Sequence, residues 1–139
     1  MSRDTASAER VSRYMRGRRA EWLAAAMMMS RGYRLLALRE RTPVGELDLV
    51  VKRGRRVAFV EVKQRATRDA ALFAVTPRNR QRVVAASDHW LARYAPRFDG
   101  VRGYDVVVVV AGPGVAFGRR RFALPRVYYL KDAFLHSYS

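Results

Sequence analysis

The sequence predicts an α/β sandwich with a central mixed β-sheet, and three observations predict it. Runs with helical periodicity flank a block of three strand-like segments, YRLLALRE, GELDLVVK and VAFVEVK, within residues 33–63. A later run from Tyr104 to Ala111 is apolar on both faces, as expected of a central strand covered by helices on each side. The resulting order is helix, three strands, helix, strand, a further strand and a short closing helix, the pattern of a layered α/β domain.

Residues 1–8 are small and polar and read as a mobile N-terminal arm, which leaves 9–139 as a single domain. From Glu9 to Ser30, the residues Met15, Trp22, Leu23, Ala26 and Met27 share one face of a helix and are expected to form its buried stripe. Gly32 is placed to cap it. Arg18-Arg19 before WLAAAMMM resembles an export signal, but the apolar run is short and Glu21 precedes it directly. No stretch reaches the ~18 apolar residues that suggest a membrane span, so a cytoplasmic protein is expected.

Thr42-Pro43 turns the first strand into the second, and the short RGRR segment makes a hairpin of the second and third. An even-length loop sets Asp48 opposite Glu61 and Glu46 opposite Lys63. It also pairs Leu47 with Val62, Leu49 with Val60, and Val51 with Ala58 on the other, wholly apolar face. A slip of one residue would destroy this separation of faces. After Arg65 the chain is a loop or short helix to Ala74. Thr76-Pro77 then reads as an N-cap followed by proline at the first helical position. Val83, Trp90, Leu91 and Tyr94 mark the expected buried face of this helix, which ends before Pro96. Arg78, Arg80 and Arg82 lie in its first two turns, where they oppose the helix dipole. The GPG segment (112–114) is expected to turn the chain, RRRFA (119–123) to begin an edge strand, and residues 128–138 to close with a short helix.

Half of the residues are apolar or aromatic, so the chain can build a core. No cysteine is present, which excludes disulfides and thiolate zinc sites. Lys and Arg total 28 against 12 acids, a net charge of +16. That excess favours a polyanionic partner, nucleic acid before an anionic membrane. A compositional bias toward arginine is the bland alternative, since only three of the bases are lysine. His89 and His136 have no partners at metal-ligand spacing, and no phosphate-binding glycine loop is present.

The chemistry concentrates on the hairpin. Carboxylates directly opposite on one sheet face have Cβ atoms about 4.5–5.5 Å apart and repel. At an effective dielectric near 20 the Coulomb cost is a few kcal/mol. A proton, the ammonium of Lys63 or a hard divalent cation would offset it, and Mg²⁺ suits a few carboxylate oxygens together with water and phosphate. The expected ligands are Asp48, Glu61 and the main-chain carbonyl of Val62. Lys63 is placed to orient an attacking water or to stabilise charge on a phosphate. The bland alternative is a solvated strand face with a Glu46–Lys63 ion pair.

Asp48 followed by Glu61-x-Lys63 on the next strand resembles the PD-(D/E)-x-K nucleases, whose fold is restriction-endonuclease-like. GRRAEWLAA, GELDLV, FVEVKQR, TPRNRQR, YDVVVV and the terminal DAF, over about residues 17 to 135, together resemble the YraN family. That family comprises small bacterial proteins similar to archaeal Holliday-junction resolvases and predicted to be nucleases. The resemblance implies catalytic roles for Asp48, Glu61 and Lys63. It implies secondary metal or structural roles for Glu21, Glu46 and Gln64, and a later strand acid at Asp105. For Glu21 a helical salt bridge is favoured over direct ligation, and Asp105 is as well suited to orienting backbone as to touching the site. The resemblance also makes a homodimer plausible. Asn79 stands where the family usually has lysine, and RERTPVGE departs from its pattern before GE. The function expected is a Mg²⁺- or Mn²⁺-dependent endonuclease acting on DNA, branched or structured, as in recombination and repair. Arg55, Arg56, Arg65, Arg68, Arg78, Arg80 and Arg82 are expected to hold the nucleic-acid backbone. The alternative is a non-catalytic DNA-binding protein on the same scaffold, assisting recombination, repair or DNA uptake.

Overall fold

The structure is a computed structural model, and it describes residues 18–110, 114–117, 120–123 and 125–134. The proposed N-terminal arm and His136 lie outside the described residues. Helix α1 (residues 18–30) ends where Gly32, at φ +88°, turns the chain. There the Gly32 amide bonds Met29 O and the Tyr33 amide bonds Met28 O, the backbone arrangement expected around a left-handed cap. Strand β1 (Arg34–Thr42) follows, and the Thr42 hydroxyl accepts from the amides of Val44 and Gly45 in the turn into β2 (Gly45–Arg53). Gly54, with φ +59°, takes the first central position of a two-residue turn into β3 (Arg56–Arg65).

Helix α2 (Arg68–Phe73) is capped by Thr67, and α3 (Pro77–Tyr94) by Thr76 with Pro77 in its first turn, as the sequence predicts. Strand β4 (Val101–Val110) is followed by a two-stranded ribbon, β5 (Gly114–Phe117) and β6 (Arg120–Ala123), and then by β7 (Arg126–Leu130). The main sheet has the order β1-β2-β3-β4-β7, with β3 and β4 parallel and the other neighbours antiparallel. Among the described residues no helix is long and apolar enough to cross a membrane.

Two cores sandwich the sheet. On one face α1 packs on Leu49, Val51, Ala58, Val60, Val107 and Val109. On the other, α2 and α3 cover Val50, Val57, Phe59, Tyr104, Val106 and Val108. Strand β4 thus contributes to both cores, which explains its run of valines. Phe59 anchors the second core, stacked on Tyr104 at 5.8 Å and edge-on to Trp90 at 6.1 Å. Burial of so many large apolar side chains, at roughly 1.5–3 kcal/mol each, makes this sheet a stiff platform for whatever stands at its end.

Several sequence expectations need correction. The buried stripe of α1 is Ala20, Ala24, Ala25 and Met28, whereas Trp22 is 57 % exposed and Leu23, Ala26 and Met29 also face outward. Small residues let the helix pack closely on the valine-rich face of the sheet, so side-chain bulk does not set its orientation. Met27 is half-buried, and Met15 lies outside the described residues. Tyr94 is 54 % exposed, while Ala86 and Ser87 complete the buried face of α3. Of the expected closing helix, residues 128–130 belong instead to β7, where Val127 and Tyr129 lean on one core and Tyr128 and Leu130 on the other, and residues 135–138 lie outside the described residues. Apolar residues on both faces hid the two-residue period of that strand. RRRFA does contain a strand, but β6 pairs with β5 rather than with the main sheet.

Candidate functional site

From its turn outward, the β2–β3 hairpin keeps the register read from the sequence: Arg53 opposite Arg56, Val51 opposite Ala58 and Leu49 opposite Val60. Beyond Leu49–Val60 the paired ladder ends. Strand β2 continues alongside β1 and β3 alongside β4, so the two strands part at Asp48 and Glu61. In the alternation of an antiparallel ladder, Leu47 and Val62 would exchange the next hydrogen bonds. Instead the Val62 amide donates to Asp48 Oδ2 at 2.9 Å. Leu47 turns into the α3-side core while Val62 packs against the α1 side, so the expected Leu47–Val62 pairing is not made. A side chain has taken the place of a main-chain partner, and the site opens in the resulting fork. The N–H and C=O of one strand residue point to the same side, so the Val62 carbonyl is directed toward this fork as well.

Glu61 is buried, at 6 % exposure. Its Oε1 lies 3.0 Å from Lys63 Nζ, two residues along the same strand face. The expected Glu46–Lys63 pairing gives way to this one, because the strands have parted before they reach position 46. Burial and the charge of Glu61 push the Asp48 carboxyl up to about 8, against the weaker opposing pulls of the Val62 N–H and Lys63. Burial and the neighbouring carboxylate thus favour the protonated form of Asp48. Two oxygen acids brought together in this way form a donor pair from which a hard cation would have to displace any shared proton. Among the described residues no three acidic, imidazole or thiol side chains form a ready-made cation cage. The donors are the Asp48–Glu61 pair and main chain.

The neighbouring acids have different duties. Glu21 on α1 pairs with Arg39 rather than with a helical neighbour alone, and burial raises its pKa despite that partner. Arg39 stands in mid-strand at φ +53°, a left-handed conformation uncommon for any residue but glycine. The β1–β2 pairing passes over Arg39 and Asp48 together, so the distortion of β1 lies beside the fork. Nothing in the sequence marked Arg39, since a left-handed arginine has no compositional signal. Glu46 is exposed and lies opposite Arg41, near enough to Glu21 to raise its pKa. Gln64 is half-buried.

Asp105 is fully buried; its register partner on β3 is Val60, next to Glu61, but its own bonds run to other groups. It receives Arg56 Nη1 at 2.9 Å and Nη2 at 2.7 Å, the Tyr129 hydroxyl at 2.6 Å and the Asp132 amide at 2.8 Å. Arg56 also bonds the Tyr33 hydroxyl and Asp132, and its side chain is only 13 % exposed. Gly103 leaves room for that guanidinium, since a Cβ there would lie 2.2 Å from Arg56 Nη2. Arg56 is therefore a structural tie between β3, β4 and the end of β7, and its expected role as a backbone contact is withdrawn.

The other predicted cations remain at the surface. Arg55 is 75 % exposed, with Asp99 at 3.8 Å. Arg65 is exposed and bonds the Gln64 carbonyl, and Arg68 lies over the Tyr128 ring at 5.3 Å. Arg78, Arg80 and Arg82 are exposed on the first turns of α3, and the Arg82 main chain lies against Gly45 at the start of β2. That contact brings the basic helix end to the same end of the hairpin as the fork.

The model of the uncharacterised protein family UPF0102 matches residues 20–109, which span Asp48, Glu61, Lys63 and Asp105. A UPF0102 protein of Bradyrhizobium diazoefficiens is 46 % identical over 104 residues, covering 75 % of this chain and 78 % of its own length. One from Rhodopseudomonas palustris strain BisB5 is 48 % identical over 99 residues, with 67 % and 76 % covered. One from Rhizobium etli is 47 % identical over 97 residues, with 70 % and 80 % covered. Their names carry the family designation and no activity.

Proposed function

The chain belongs to the UPF0102 family, and we propose that it is a divalent-metal-dependent endonuclease hydrolysing phosphodiester bonds in DNA, with branched or otherwise structured DNA as its substrate. The observation that carries this reading is the fork itself: Asp48 tied to the Val62 amide beside buried Glu61, with Lys63 held on Glu61. An apolar strand pair that parts to keep two acids and an ammonium together maintains a costly arrangement, and phosphoryl chemistry explains all three groups at once.

Asp48, Glu61 and the Val62 carbonyl would hold Mg²⁺ or Mn²⁺. When bound, the cation supplies Lewis acidity at the scissile phosphate. Val62 N–H holds one Asp48 oxygen, and the other oxygen would be the one available to the cation. Glu61 fixes the Lys63 ammonium, which orients the attacking water and balances the negative charge that grows on the phosphate oxygens. The two-sided core behind β3 and β4 packs the strands that carry these groups. Exposed arginines at the adjoining end of α3 and after β3 supply a backbone-directed grip.

The test is a panel of labelled duplexes, flaps, four-way junctions and single strands, incubated with Mg²⁺ or Mn²⁺, comparing the wild-type protein with Lys63→Ala. Cleavage of structured DNA by wild type alone supports the assignment. DNA binding without cleavage under both metals would replace it with a non-catalytic DNA-binding role.

A further inference from the structure

A cleft of about 410 Å³ runs along the β1 edge of the sheet, on the face that carries α3. Trp90, Tyr94 and Phe98 line one side of it, and Arg34, Lys52 and Glu40 line the strand side. Lys52 lies four residues along β2 from Asp48, about 13 Å at the usual strand rise, so the cationic end of the cleft is separate from the fork. Three features define what it would take. Tyr94, 54 % exposed, offers an aromatic ring to the cleft, and the buried Trp90 stands behind it with ring centroids 5.3 Å apart. Arg34 and Lys52 are register partners on β1 and β2, and neither has an ion pair among the described residues. Like charges directly opposite across two strands are destabilising, and an anion between them removes that cost. The volume lies near the lower end of the roughly 300–1,000 Å³ typical of small-ligand sites.

We infer that this cleft takes one unstacked nucleotide of a single-stranded nucleic-acid segment, its base against Tyr94 and Phe98 over the edge of Trp90 and its phosphate between Arg34 and Lys52. The inference rests on the nucleic-acid reading above and adds a place where a strand is gripped by its base. Glu40 Oε1 accepts the Tyr94 hydroxyl at 3.0 Å. Its carboxylate can also accept from an exocyclic amine, so adenine and cytosine are favoured over thymine.

The sequence contains two tryptophans, so Trp22→Phe, a change on the exposed side of α1, leaves Trp90 as the sole fluorescent indole. In chelator, this protein is titrated with end-labelled oligodeoxyadenylate, oligothymidylate, an abasic strand of equal length, and free deoxyadenosine monophosphate. Strand anisotropy reports binding and Trp90 emission reports occupancy of the cleft. The adenylate strand is expected to quench Trp90 and to bind more tightly than thymidylate, while the abasic strand binds without quenching. Tyr94→Ala should weaken the adenylate strand about tenfold and leave the abasic strand unchanged, whereas Arg34→Ala or Lys52→Ala should weaken both. Strands that bind without quenching and are indifferent to Tyr94→Ala would refute the cleft and leave the nucleic-acid reading intact. Absence of strand binding by anisotropy would refute that reading as well. Quenching by the free monophosphate at the same affinity as the strand would overturn the assignment to a strand.

Discussion

Asp48→Asn in the absence of metal should separate the stability of the protein from its chemistry. Asparagine keeps the shape of the side chain and an oxygen for the Val62 amide, whose bond to Asp48 Oδ2 is 2.9 Å, but it cannot ionise. In the wild-type native state the carboxyl is pushed up to about 8, from 3.8 in its ordinary state. Between those values the native state holds a proton that the unfolded chain has released. Wild-type stability from this group is therefore highest at and below the lower value and falls as pH rises toward the upper one. The slope is about 1.4 kcal/mol per pH unit, so the ceiling on the loss between pH 5 and 8 is about 4 kcal/mol.

The variant lacks this slope. The two proteins should be nearly equal at pH 5, and Asp48→Asn should be the more stable by at least about 1 kcal/mol at pH 8. Denaturant melts in chelator across that range measure the difference directly. Repeating them in Mn²⁺ should narrow or reverse the order, because a ligand of the native site stabilises only the protein that can hold it. Parallel pH profiles in chelator, or a variant clearly less stable at pH 8, would show that Asp48 is a satisfied structural acid and would remove it from the site.

Three further outcomes are expected. Lys63→Ala should abolish cleavage in a gel assay while DNA affinity by anisotropy stays within a few-fold, since it removes one of 28 basic residues. Equal loss of both would make Lys63 a contact. DNA affinity should be backbone-directed: if about six phosphates are neutralised, it should fall roughly a thousandfold between about 50 and 200 mM salt, and a flat log–log plot would dismiss the electrostatic argument. Arg56→Ala strands the fully buried Asp105 carboxylate and should cost about 3–5 kcal/mol in thermal or denaturant unfolding, whereas Arg55→Ala, at an exposed turn, should stay within about 0.5 kcal/mol.

Much of the frame was legible in one dimension because its signals are local. The cap at Thr76-Pro77, the turn at Gly54 and the alternation of GELDLVV and VAFVEVK each depend on residues a few positions apart. Together they gave the hairpin register, and with it the approach of Asp48 to Glu61. The two-faced valine run likewise announced a covered central strand. Orientation was less legible. Helix α1 turns its alanines inward against a sheet face built by strands distant in sequence.

Only the folded chain decided how the chemical groups share their partners. Arg56 and Arg55 are neighbours with the same side chain, yet one is bound by Asp105, 49 positions away, and the other stands in solvent. Lys63 takes Glu61 instead of Glu46 because β2 and β3 have parted by then, a divergence that no pattern of period two encodes. The raised pKa of Asp48 has the same origin. It comes from burial and from a charge on another strand, and both are properties of the space around the residue rather than of its place in the sequence.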